Sequence, residues 1–242
     1  MNDQPMATLG ALLTRAWAFY RANARLVLLV TLPVVAFVDL VIGAGLGELT
    51  ASVHKKLPSS DIYIELAATE FVTVPLVTAM LARAIVIALR GDAPLRIGRV
   101  VEEGLDLFVP AFLAVLLFVS GVLVGSILIL PALYLYVSWY FVVQAVAIDG
   151  LRGFQAVNTS SSLVRGRWWH SAGMGVGFWI VVAIPALLAT GGFEELARGV
   201  NSDALVIVGN VLIDTLTLPF VVIGATLYYL DLRARAGMAG PR

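Results

Sequence analysis

The sequence predicts an all-α, polytopic integral membrane bundle: six transmembrane helices arranged as three hairpins, each preceded by an interfacial amphipathic helix. Three observations carry this. Of 242 residues, 60% are hydrophobic and 13% charged, roughly half the charge of a typical soluble domain. Several apolar runs reach the roughly 20 residues needed to cross about 30 Å of hydrocarbon. And one pattern recurs. Thr73 to Arg83 reads Thr, apolar, Pro, then apolar residues toward a charged exit, and it returns at Thr217 to Leu227. An acid stands five residues before each proline, Glu70 before Pro75 and Asp214 before Pro219.

Charge and cysteine content exclude some chemistry. Formal net charge is zero, so bulk charge implies no nucleic-acid partner. The chain has no cysteine, which removes disulfides, thiol catalysis and thiolate metal sites.

Met6 to Asn23 reads as an amphipathic helix, with Leu9, Leu12, Leu13, Ala16, Trp17 and Tyr20 on one face. Arginine beside Trp and Tyr suits a helix in the headgroup region, and packing on the bundle is the plainer alternative. Leu26 to about Leu46 is the first span, kinked at Pro33 and carrying a carboxylate at Asp39. It is too long for the apolar core of a cleavable signal and is expected to stay. A polar loop follows from Glu48 to Asp61, with His54, Lys55 and Lys56.

Ile62 to Leu89 is the second span, holding Glu65, Glu70 and Arg83; Arg90, Gly91 and Asp92 stop it, and Pro94 starts the next helix. Pro94 to Phe108 is the second amphipathic stretch. Its apolar face is Ile97, Val100, Val101, Leu105 and Phe108, and Arg99 and Glu103 are paired at i,i+4. Val109 to Ile148 then runs without a charge, enough for two spans. Length favours a turn at Leu130-Pro131-Ala132. The alternative, near Gly121 to Gly125, would put Pro131 inside the fourth span. The first choice places Tyr134 and Tyr136 at the outer interface, as belt residues.

Asp149 to Arg167 is the third polar connector, and Trp168 and Trp169 mark its membrane boundary. The fifth span runs from about His170 to Thr190 with Pro185; Gly191 to Asp203 is expected as a polar loop. The sixth, Ala204 to Leu230, contains Asn210, Asp214 and Pro219. The chain is one membrane domain, 1–242, with pseudo-repeats at about 6–92, 93–150 and 151–235. Repeats of one orientation suggest pseudo-symmetry about the membrane normal.

Orientation follows from the cations. Thirteen of the 16 arginines and lysines fall at the termini, on the second and third connectors or, as Arg83, within reach of that side. Only Lys55, Lys56 and Arg198 lie opposite. The positive-inside rule then predicts cytoplasmic N- and C-termini.

The third connector carries a resemblance. Ala156, Ser160, Ser161 and the run Leu163-Val164-Arg165-Gly166-Arg167-Trp168 resemble a pattern in an uncharacterised six-span bacterial inner-membrane protein family. That family is similar to the membrane domain fused to some glycerophosphodiester phosphodiesterases. The tail Leu227-Tyr228-Tyr229-Leu230-Asp231-Leu232-Arg233 resembles its ending. Outside these two motifs the similarity is compositional. It implies a multi-pass protein of the bacterial inner (plasma) membrane and no catalytic residues, since the chemistry of the fused enzymes belongs to a separate soluble domain.

Asp39, Glu70 and Asp214 are the sharpest candidates for an intramembrane polar site. A charged residue at mid-bilayer costs roughly 2.5–3.5 kcal/mol on insertion scales, so such groups face the bundle or a wet cavity. At about 1.5 Å per residue all three fall in the outer half of their spans, where one cavity can hold them. A cation, proton or headgroup site is one reading; interhelical hydrogen bonds holding the bundle together are the other. Arg83 is placed with this set, with three readings open to it: pairing with an acid, binding a lipid phosphate or, as the default, snorkelling. Arg165, Arg167, Trp168 and Trp169 are candidate lipid-headgroup contacts, against ordinary positive-inside anchoring. Gly153, Gly166, Gly173, Gly175 and Gly177 are expected to ease close helix packing, and Glu194-Glu195 to be a solvated loop pair. His54 and His170 should lie on opposite faces, so they form no shared metal site.

No catalytic, metal or phosphate-binding motif appears, and no cofactor is expected. The sequence favours a non-catalytic membrane protein that organises or senses the membrane or a protein partner. The alternative is a carrier of a small solute or lipid using the intramembrane carboxylates. The first requires a dry interior, the second a cavity lined by Asp39, Glu70 and Asp214.

Overall fold

A computed structural model of the chain describes residues 7–45, 69–91, 95–200 and 202–238. The expectations for Glu48 to Asp61, Glu65, Asp92, Pro94 and Arg242 lie outside the described residues. Among those described there are helices and no strands. Six helical stretches are long and apolar enough to cross a membrane, so the chain is an all-α, multi-pass membrane protein.

Helix α1 (Leu9–Ala22) starts at Thr8, whose hydroxyl accepts the Ala11 N–H at 3.2 Å. One face packs on the bundle through Leu12, Ala16 and Tyr20, while Trp17 stays 53% exposed. Asn23 alone separates α1 from α2 (Ala24–Gly45).

The chain next appears in a π-helical turn, Thr69–Thr73, leading into α3 (Val74–Arg90). Pro75 accounts for the widened turn. It has no N–H to offer the Phe71 carbonyl, so the i→i+4 ladder cannot close there. Helix α3 is the hub, with 67% of its span buried. It packs against α2, α4 (Ile97–Asp106), α5 (Phe108–Gly125), α7 (Val142–Asp149) and α10 (Asp203–Arg235).

In α4 the buried positions are Val100 and Gly104, with Gly104 against Met80. Leu105, expected on the buried face, is 54% exposed. It sits at the edge of the apolar stripe, where a helix at the headgroup level meets lipid rather than protein.

The turn between spans three and four is Ser126 to Leu128, not Leu130 to Ala132. Helix α5 ends at Gly125 and α6 (Ile129–Ser138) begins after three intervening residues, leaving Pro131 in its first turn. Proline is tolerated there because the N–H it lacks would have no partner anyway. Gly125 permits the tight crossing, since a Cβ on it would lie 3.1 Å from the Ala132 backbone nitrogen.

The fourth span is broken. Between α6 and α7 the backbone turns at Trp139 to Phe141, and α8 (Phe154–Val164) supplies the missing bonds. The fully buried Ser160 hydroxyl donates to the Ser138 carbonyl at 2.8 Å and accepts the Phe141 N–H at 3.2 Å. The third connector helix is therefore packed into the bundle along this break. Tyr134 consequently stacks on Trp168, with centroids 6.2 Å apart and planes at 10°. The two were expected at opposite interfaces; the break and the tucked α8 bring them side by side.

Helix α9 (Trp168–Val200) continues through the expected loop. Glu194 and Glu195 both pair with Arg198, at 3.8 and 2.5 Å, and Ala197 is buried. At about 1.5 Å per residue α9 is roughly 50 Å long, so it outruns the hydrocarbon and carries its charges beyond it. Its antiparallel neighbour α10 is as long. Of the glycines expected to ease packing, Gly177 lies against Leu9, whereas Gly153 and Gly166 turn the chain with φ of 52° and 80°. Gly173 and Gly175 face open space.

Candidate functional site

Between the helices of the bundle lies a half-open cavity of about 410 Å³, and Asp39, Glu70 and Asp214 all line it. Each comes from a different span. Asp39 projects from α2, Glu70 from the π-helical turn before α3, and Asp214 from α10 one turn before Pro219. Both prolines act locally in the same way: each leaves a carbonyl four residues earlier without its ladder partner, at Phe71 and at Thr215. The acids precede these carbonyls by one residue, at the points where the backbone ladder is interrupted.

The two copies of the recurring pattern supply matching walls. Glu70, Thr73, Val74 and Thr78 line the cavity from one side, and Asp214, Thr217, Leu218 and Val222 from the other. Each member of the first set stands a constant distance in sequence from its counterpart in the second. The i, i+3, i+4, i+8 spacing explains why, because it is one face of a helix.

Sequence reasoning missed the rest of the wall. Tyr136, Tyr140, Val143 and Gln144 come from the broken fourth span and Trp179 from α9. Their signal was the same helical spacing, hidden in a run with no charge to mark which face turns inward. Gln144 is only 5% exposed, and its side-chain Oε1 has no hydrogen-bond partner among the described residues. A buried amide oxygen without a partner costs about 1–3 kcal/mol, a cost a ligand donor removes.

The electrostatics are one-sided. No arginine, lysine or histidine lines the cavity among the described residues. Among the described residues neither Glu70 nor Asp214 forms a salt bridge. Carboxylates gathered in a cleft with low-dielectric walls focus a negative potential that concentrates cations. Among the described residues the three acids do not form a group able to hold one metal ion.

Arg83 is not part of this site. It lies 13 residues along from Glu70 in sequence, roughly 20 Å on a helix, and grips Glu103 of α4 with Nε at 2.7 Å and Nη2 at 2.6 Å. The expected Arg99–Glu103 pair also forms, at 2.7 Å. Partial burial raises the Glu103 pKa, but the hydrogen bonds and charges of Arg99 and Arg83 outweigh it and hold the carboxyl below its ordinary value.

The third-connector set sits apart again. Arg165 ends α8 and is exposed; Arg167, Trp168 and the 82% exposed Trp169 begin the next helix. Trp168 meets Trp169 edge-on at 4.7 Å and donates to the Tyr134 carbonyl at 3.3 Å. The tail motif forms a lock at the end of the fourth span. Arg233 pairs with Asp149 at 2.7 Å, both nearly buried, and the Tyr229 hydroxyl donates to the same carboxylate.

The bundle thus presents one polar chamber among its spans, acid-lined and free of basic lining residues among those described. No protein-family model, no curated protein and no solved structure matches this chain.

Proposed function

We propose that this protein is a non-catalytic membrane carrier that takes a cation into the chamber between Asp39, Glu70 and Asp214. The observation that carries the reading is the convergence of three carboxylates from three spans on one cavity of about 410 Å³ without a basic residue in its described wall. A bundle merely held together by interhelical hydrogen bonds has no reason to leave space between its acids. The geometry therefore favours the carrier over an organiser or sensor of the membrane. With the bias of arginine and lysine, we place both termini in the cytoplasm of a bacterium and the protein in its inner membrane. The chamber then lies toward the outer face. Its contacts outside the bundle are membrane lipids.

The chain's lack of cysteine makes a direct test available. Single cysteines at Thr73, Val143 and Thr217 would be probed in intact cells with a membrane-impermeant thiol reagent, with Leu187, 68% exposed on the outside of α9, as the lipid-facing control. Labelling of the three cavity positions, slowed by added tetramethylammonium, is expected. Labelling confined to loop positions would overturn the carrier reading and leave the acids as structural groups.

A further inference from the structure

The acid chamber has an apolar neighbour. A second cavity, of about 280 Å³, is lined by groups such as Leu133, Val137, Ala172, Gly175 and Val176, and it shares Tyr136, Tyr140, Trp179 and Val221 with the first. The two spaces therefore adjoin along these shared residues. Its outer rim is open to the side of the bundle: Leu133, Val176 and Trp179 are 50%, 57% and 66% exposed. In a membrane-spanning helix such apolar side chains meet lipid.

We infer that the occupant is an amphiphilic organic cation, with an ammonium head in the acid chamber and an apolar tail in the adjoining cavity, entering sideways from the bilayer. This rests on the cation reading above and names its substrate class. Three features select the head. The carboxylates supply charge, and the unpartnered Gln144 oxygen accepts a hydrogen bond from a donor that the described residues do not provide. Tyr136, Tyr140 and Trp179 stand at the junction, where aromatic faces attract an organic cation. No basic side chain lines either cavity among the described residues, so a phosphate-bearing headgroup finds no counter-charge among them. The almost wholly apolar second cavity selects the tail, which gains from burial in proportion to its length.

The test uses the full-length protein in lipid nanodiscs, with empty nanodiscs as blank. Binding of tetramethylammonium and of hexyltrimethylammonium is measured by titration calorimetry against aqueous ligand concentration. Transfer of one methylene is worth about fourfold in affinity, so a partly buried hexyl tail should tighten binding by about thirtyfold or more. Gly175→Leu fills the apolar cavity, and nothing lies within 4 Å of where its Cβ is added, so the helix accommodates it. It should reduce the tail's gain to under about threefold and leave tetramethylammonium unaffected. Ala172→Leu, at another wall position, is the second filler. Equal affinity for the two ions, or a tail gain that survives both fillers, would overturn the inference. Glu70→Gln and Asp214→Asn separate the two levels of the argument. If they leave tetramethylammonium binding unchanged, the cation site itself fails; if they abolish it while the tail adds nothing, only the amphiphile is wrong.

Discussion

Glu103 holds two guanidinium groups at once, and this fixes how the second connector helix is tied to the hub. Arg99 is its neighbour on α4, whereas Arg83 reaches it from α3. A carboxyl whose folded pKa is lowered contributes stability above its unfolded value and loses it as pH falls through the folded one. The Arg83–Glu103 tie should therefore be intact at neutral pH and fade below about pH 4.3, the ordinary glutamate value. Because both side chains keep about a fifth of their surface exposed, the gain is screened, to about 1 kcal/mol or less. Thermal unfolding of Glu103→Gln should fall slightly below the parent at pH 7, and the gap should narrow as the pH drops below the ordinary glutamate value. A gap that stays constant through the acid range would show that the carboxylate charge is not what binds α4. The sequence marked Arg99–Glu103 by spacing alone. It left Arg83 with three roles, because a partner 20 residues away follows no helical spacing.

At the scale of elements, the broken fourth span is the feature the sequence did not show. Val109 to Ile148 is uniformly apolar, and a uniform run carries no sign of where a helix stops inside it. The stop is made by another element: Ser160 of α8 takes over the hydrogen bonds that the backbone at Ser138 and Phe141 would otherwise lack. Ser160→Ala should strand a buried N–H and a carbonyl and destabilise the protein by about 1–3 kcal/mol, read as a lowered unfolding midpoint. Ser160→Thr, which keeps the hydroxyl, should lose less if its methyl fits. Equal behaviour of the two variants would remove the hydroxyl from this role. Close approach governs the long hairpin as well. Gly224 of α10 faces the ring of Phe178 on α9, and any side chain there collides with it, so Gly224→Leu should pry the hairpin apart.

For the whole molecule, the acid chamber is a local deficit in stability. Glu70 and Asp214 share a low-dielectric space with no basic lining residue among those described, so their charges are costly to hold there. Sites built for binding often carry such a cost. Glu70→Gln or Asp214→Asn should therefore leave thermal stability unchanged or raise it by up to about 1 kcal/mol in the absence of ligand, while removing protection by organic cations. Acids that act as structural hydrogen-bonding groups predict the opposite, a clear loss of stability on substitution. The same unfolding curves, recorded with and without tetramethylammonium, check both halves.

Composition and periodicity by themselves determined that this chain is a helical, multi-pass membrane protein and which acids sit inside its spans. That follows from single-residue energetics: apolar length is set by bilayer thickness, and a carboxylate in such a run stands out wherever the helices go. Local pattern also identified the two recurring stretches whose acids line the chamber, because one helix face has a fixed spacing. Only the tertiary structure decided that Asp39 joins Glu70 and Asp214 while Arg83 leaves them for Glu103. Only it showed where the fourth span breaks, and that Glu194 and Glu195 extend a helix instead of a loop. Those outcomes depend on which helices become neighbours. Neighbours are chosen by side-chain packing and by partners far apart in sequence, and among uniformly apolar faces many pairings have similar energies until the packed bundle selects one.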